Sequence, residues 1–123
     1  IDHLNVPVSD VAASKRFYEA ALAPLGFRLL REAKDACGIG PSEGEERWLG
    51  TIWLGKSDSF TRQHVAFRVQ NREAVDAFYV AALMAGGKGN GAPGLRPHYH
   101  PDYYAAFVLD PDGHNVEAVC HLS

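Results

Sequence analysis

Apolar residues fall at every second position in two short stretches of the chain. Leu4, Val6 and Val8 share one face of the first, with His3 and Asn5 on the other. Val65, Phe67 and Val69 share one face of the second, and His64 stands at its mouth on the opposite face. A period of two predicts half-buried strands. After each stretch the period changes. Phe17, Tyr18, Ala21, Leu22 and Leu25 recur at three- and four-residue spacing, as do Val75, Phe78, Tyr79, Ala82 and Leu83. That spacing predicts amphipathic helices buried against a sheet. Asp10 and Asn71 suit the helix N-caps, and Gly26 and Gly87 fit the helix ends. Strand-like segments follow each helix: "FRLLRE", "ACGIG" and "LGTIWLG" first, then a weak segment in a glycine-rich region, "YYAAFVL" and "HNVEAVC".

The two halves are copies. A shift of 61 positions lays His3 on His64, Val8 on Val69, Ala13 on Ala74, and Phe17-Tyr18 on Phe78-Tyr79. Ala20, Ala21 and Leu22 then meet Ala81, Ala82 and Leu83, and Gly26 meets Gly87. The repeated unit reads β-α-β-β-β. One such unit of about 60 residues would be marginal alone, so two must pool their cores. The expected fold class is α+β, with two paired β-α-β-β-β modules forming a concave mixed sheet. Module one would span 1–58 and module two 62–123, within a single domain over 1–123. The concave side is a natural pocket.

Loops are placed by their turn residues. "GPSEGEE" reads as an exposed turn. "GGKGNGAPG" follows a helix, and no Lys-Ser/Thr opens a helix after it, so it reads as a flexible connector and not as a phosphate cradle. "DPDG" fits a type I turn with Pro111 second and Gly113 last, and it lacks the remaining pattern of a calcium loop. A left-handed Gly113 pairs Phe107 with Glu117, which puts Tyr103, Ala105 and Phe107 on the glutamate's face. His114 has the opposite parity and is expected at the surface.

The chain of 123 residues is 46% hydrophobic and 22% charged, an ordinary globular balance. Its formal charge is −3 and no Lys/Arg block is present, so neither nucleic acid nor an anionic membrane is the indicated partner. No apolar run reaches the roughly 18 residues of a membrane span. The first residues do not read as a signal peptide. Cys37 and Cys120 make no CxxC, which suggests reduced thiols and a cytoplasmic location.

Glu117 changes the picture. It lies among Val116, Ala118 and Val119, where a carboxylate is costly unless paired or bound to a metal. By repeat symmetry its strand lines the same pocket as the two strands that open with His3 and His64. Two imidazoles and a carboxylate form a donor set for one divalent ion, Fe, Mn, Ni or Zn, with positions left open for substrate. Tyr103 and His100 are candidates for assisting proton transfer. Asn5, on His3's face, is a candidate substrate contact. His98 and His100 make an HxH, but they flank prolines in a loop, so His100 reads as pocket rim and not as a ligand.

The paired units and the "DPDGHNVE" ending resemble the vicinal oxygen chelate superfamily, which includes glyoxalase I, fosfomycin-resistance proteins, extradiol dioxygenases and bleomycin-resistance proteins. The resemblance covers essentially the whole chain. It implies metal ligation by His3, His64 and Glu117. It implies a metal-dependent small-molecule enzyme of lyase, isomerase or dioxygenase chemistry, in which the metal chelates neighbouring substrate oxygens. The alternative within the family is a metal-free module that binds a small molecule or drug. A homodimer is expected, with the pocket inside one chain or with modules exchanged. Glyoxalase I has a fourth, carboxylate ligand where Trp53 stands here, so Trp53 is expected to wall the pocket. Phe107, where fosfomycin enzymes would use a tyrosine, is expected as a further substrate contact.

Overall fold

The computed structural model describes residues 1–43 and 51–123. The chain runs β1 (His3–Val8), α1 (Val11–Leu22), a 3-10 turn (Ala23–Leu25), β2 (Phe27–Ala33), β3 (Ala36–Pro41) and β4 (Thr51–Lys56). Then come β5 (His64–Arg68), α2 (Arg72–Met84), β6 (Lys88–Leu95), β7 (Tyr104–Leu109) and β8 (Asn115–Cys120). The strands make two mixed four-stranded sheets of order β1-β4-β3-β2 and β5-β8-β7-β6. The fold is α+β, built from the β-α-β-β-β unit used twice. The opening strand of each unit pairs in parallel with the last strand of the same unit. β1 and β5 are therefore sheet edges. Among the described residues no helix is long and apolar enough to cross a membrane.

The local signals act as their chemistry dictates. The Asp10 and Asn71 carboxyl and amide oxygens accept from Ala13 N–H and Ala74 N–H, which caps both helices. Gly26 ends the 3-10 turn at φ +82°. The left-handed residue after α2 is Gly86, and Gly87 serves packing instead. A methyl group on Gly87 would come within 2.5 Å of Val108 and 2.7 Å of Phe17. Phe17 thus crosses from α1 into the second half, and the buried faces of both halves join one core: Val6, Val8, Phe17, Leu22, Ile39, Leu54, Val75, Phe78, Val108 and Val116. Phe27 on β2 meets Phe67 on β5 edge-to-face at 5.5 Å, a second apolar bridge.

A polar latch joins the halves at the DPDG turn. Gly113 is left-handed at φ +84°, and Asp110 Oδ1 accepts from Asp112 N–H and His114 N–H. Its other oxygen accepts from the Tyr18 hydroxyl on α1 at 2.6 Å. Burial, and then the Asp110 charge, push the Tyr18 phenol well above its ordinary value. His114 completes the latch. Gln63 N–H donates to its Nδ1 at 2.8 Å, so its proton sits on Nε2, which donates to the Pro7 carbonyl of β1 at 2.7 Å. The Ser9 backbone and hydroxyl both donate to Asp112.

Two sequence expectations are revised, and a third lies partly outside the described residues. His114 is buried, 1% exposed, because it lies in the turn before β8 and reaches across to the other half; strand parity does not apply to it. The glycine-rich connector is the eight-residue strand β6, whose register shifts at Gly89/Gly91 and Gly91/Gly94. The turn read at "GPSEGEE" falls partly on residues 44–50, outside the described residues, as does the start of "LGTIWLG".

Tyr18→Phe leaves the buried Asp110 Oδ2 without its partner and should destabilise the fold by about 2 kcal/mol in urea unfolding. Tyr104→Phe removes an exposed hydroxyl bond to Asp76 and should change stability by less than about 0.5 kcal/mol. Equal effects would show that the latch contributes no more than a surface contact.

Candidate functional site

The site is built on the middle of β8. Glu117 stands between Ala66 of β5 and Phe107 of β7 in the ladder. It is 1% exposed. A carboxylate so deep needs partners for both oxygens, and it has them. His64 Nε2–H donates to Oε2 at 2.8 Å. The Tyr103 hydroxyl donates to Oε1 at 2.5 Å. His64 comes from the start of β5 and remains half-exposed, so the pair is buried at one end and open at the other. Burial first, and then the Glu117 carboxylate, push the Tyr103 phenol up to about 12.

A cavity of about 360 Å³ surrounds this trio and is lined by His64, Tyr99, His100, Tyr103, Phe107 and Glu117. Tyr99 meets Tyr103 edge-to-face at 4.9 Å. His100 and His121 pack together against Tyr103, with Nε2 of the first and Nδ1 of the second 2.7 Å apart. His121 lies past the end of β8. The signal for it in the sequence was its shared parity with Glu117.

The first half carries a second cavity of about 330 Å³, lined among others by Asn5, Pro7, Trp53 and Lys56. Asn5 and Trp53 are ladder partners on β1 and β4. The Trp53 ring lies on Gly38 so closely that a methyl group there would meet it at 3.0 Å. Because His3 pairs with Thr51 where His64 pairs with Asn115, Trp53 occupies the ladder position that Glu117 holds in the second half. The structure therefore gathers His64, Glu117, Tyr103, His100 and Phe107 in one cavity and Asn5 and Trp53 in another. His3 is exposed, joined to Asp2 at 2.7 Å, and lines neither. Among the described residues no three His, Cys, Asp or Glu side chains gather to hold a metal.

The pair His64–Glu117 nonetheless fits a divalent ion. It offers one imidazole nitrogen and one carboxylate oxygen facing each other across 2.8 Å, where a cation could replace the shared proton. Tyr103 orients the carboxylate from behind, as an outer hydrogen bond does around metal ligands.

Comparisons with known proteins follow the same outline. The family model described as Glyoxalase/Bleomycin resistance protein/Dioxygenase superfamily matches residues 1–118. Comparison with curated proteins gives no match. A glyoxalase/bleomycin resistance protein from Albidiferax ferrireducens is 27% identical with a TM-score of 0.77, covering 98% of this chain and 97% of its own. A glyoxalase/bleomycin resistance protein/dioxygenase family enzyme from Burkholderia phytofirmans is 21% identical with a TM-score of 0.75, covering 98% of each chain. A lactoylglutathione lyase from Agrobacterium tumefaciens is 15% identical with a TM-score of 0.69, covering 98% of this chain and 92% of its own. The last two likenesses establish the fold alone.

Glu117→Gln removes a charge that raises the Tyr103 phenol but leaves its burial intact. In metal-free protein the Tyr103 titration should fall from about 12 toward, but not to, the ordinary 10.0. Phenolate absorbance, differenced against Tyr103→Phe, measures this. The sign for stability follows from the raised value. The folded state holds the proton more tightly, so the contribution is full below about pH 10 and is lost as pH rises from 10 to 12. A titration unmoved by Glu117→Gln would remove the carboxylate as a cause.

Proposed function

The chain belongs to the Glyoxalase/Bleomycin resistance protein/Dioxygenase superfamily, and on that premise we propose that it is a small-molecule enzyme holding one divalent ion on His64 and Glu117. The observation that carries this reading is the buried Glu117 carboxylate turned toward an open-sided imidazole. The ion, when bound, would supply a Lewis acid that takes two neighbouring substrate oxygens and stabilises negative charge developing on them. The residues of the chain do the rest. His64 and Glu117 present their donor atoms from adjacent parallel strands. Tyr103 fixes the second carboxylate oxygen and keeps a proton on its own hydroxyl at the cavity wall. Tyr99 and Phe107 shield the site from water, and Asn5 and Trp53, which line the other half's cavity, would contact substrate only where exchanged modules bring a β1 edge to a β5 edge. The reaction class is a lyase, isomerase or dioxygenase step, with Fe, Mn, Ni or Zn as the ion.

The third donor is His3 of the partner subunit. β1 and β5 are unpaired sheet edges, and His3, Asn5, His64, Ala66 and Arg68 along them are all exposed. Unpaired edges invite a second chain. A homodimer with exchanged modules would bring the β1 edge of one subunit to the β5 edge of the other. A second reading has its own support: His64 and Tyr103 already satisfy both Glu117 oxygens without a metal. That arrangement suits a metal-free module binding a small molecule in the same cavity.

Metal analysis distinguishes these readings. Tag-free protein loaded with Fe, Mn, Ni or Zn should hold one ion per chain, and His3→Ala, His64→Ala and Glu117→Gln should each lose it. Unfolding and refolding His3→Ala and Glu117→Gln together should restore roughly a quarter of the wild-type metal, because half the dimers are mixed and each of those has one intact site. No metal in the wild type would leave the binding module; metal without rescue on mixing would place His3 in the same chain's site.

A further inference from the structure

We propose that a further cavity, at the joint between the two halves, binds a monocarboxylate with a flexible aliphatic body, and that Arg68 holds its carboxylate. The cavity is separate from the two described above and uses neither His64 nor Glu117.

The latch closes the joint at the end of β1, through Pro7 and Ser9. The start of β1 is open. On one face of that strand Leu4 is 40% exposed, where Val6 and Val8 are 1% and 0%. Leu25, Phe27, Val65 and Phe67 are likewise only half-buried. A cavity of about 280 Å³ lies in the opening. Leu4, Leu25, Phe27 and Ile52 line it from the first half, and Val65 and Phe67 from the second. None of these residues lines the cavities of Glu117 or Trp53. The edge-to-face contact of Phe27 with Phe67 ties the two walls together, so the cavity is formed before any ligand arrives. Apolar surface gathered in a concavity, rather than scattered, marks a binding site.

Size and charge choose the ligand. The volume is roughly twice that of an apolar cavity that takes one benzene ring, which gives a body of about eight to ten carbons. The two lining rings stand at 87° to each other among branched aliphatic side chains, so the walls suit a flexible chain better than a flat ring system. Arg68, the last residue of β5, also lines the cavity and is the charged residue on it. Among the described residues no Asp or Glu lines the cavity and none forms an ion pair with Arg68. A guanidinium takes a carboxylate through two parallel N–H donors, which assigns the head group.

Octanoate is the probe and 1-octanol its neutral counterpart. Amide 1H–15N spectra during titration should show octanoate shifting Leu4, Phe27 and residues 65–68. Arg68→Gln should weaken octanoate about tenfold and 1-octanol less than about threefold. Leu25→Trp, which fills the cleft, should abolish the shifts from both. Arg68 is exposed, so its variant keeps the test decisive even where Leu25→Trp unfolds. Tyr99→Ser, on the cavity of Glu117, should leave octanoate binding unchanged. Added salt should weaken octanoate more than 1-octanol. Octanoate shifts confined to the residues around Glu117, octanoate binding unchanged by Arg68→Gln, or equal losses of both probes in that variant would overturn the proposal. Sedimentation with and without octanoate tests the other occupant. A dimer that dissociates as octanoate binds would show that a second copy of the chain fills the cleft, and would overturn the proposal too.

Discussion

Asp110 is the point through which the two halves hold each other. One oxygen organises its own turn through Asp112 and His114, and the other takes a buried hydroxyl from the opposite half. Removing a partner from a buried carboxylate leaves a desolvated acceptor, which is worth more than the bond itself. The turn also aims His114 at Pro7, so the end of β1 is tied to the residue before β5. The relative placement of the two sheet edges follows from this latch. So does the start of β8, because Asn115 N–H donates to the Gln63 carbonyl directly beside it.

The depth of Glu117 is a consequence of that placement. β8 is flanked on both sides by paired strands, and His64 and Tyr103 close over its middle residue at the bottom of the cavity, leaving it 1% exposed. The chain meets the resulting demand with one partner from each neighbouring segment, His64 from β5 and Tyr103 from the approach to β7. A buried carboxylate supported this way is poised. Both its oxygens are held by donors, and on the proposed reading a cation takes the place of one of them without leaving a bare charge.

Much of this was legible in the sequence because it is local or repeated. The period of the apolar residues marked both helices and the opening strands, and Gly113 fixed the hairpin register that brings Phe107 to Glu117. What escaped was long-range or lacked side chains. His114 answers to a carbonyl 107 residues away, which no parity rule reports. β6 is poor in side chains, so it has no alternation to show. Its glycines serve neighbours instead: a methyl group on Gly91 would meet Phe107 at 2.9 Å and Arg96 at 3.1 Å. The His100–His121 pair joins a loop to the segment after the last strand, so His100 could be singled out from the sequence but its partner could not.

The two copies also explain why the site is lopsided. The sequence shift of 61 lays Glu117 on Lys56, but the ladder lays it on Trp53. Across the next strand the volumes are exchanged: Gly38 lies opposite Trp53, and Phe107 opposite Glu117. Each half thus places one ring and one small or polar group on neighbouring strands, in opposite order. In the first half the ring comes from the last strand and covers a glycine. In the second it comes from the strand before and leaves the floor to a carboxylate. A repeat that had kept the same order twice would offer either two carboxylates or none. The exchange yields one ionisable floor and one aromatic floor, each in its own cavity, so the two halves of one fold present different chemistry.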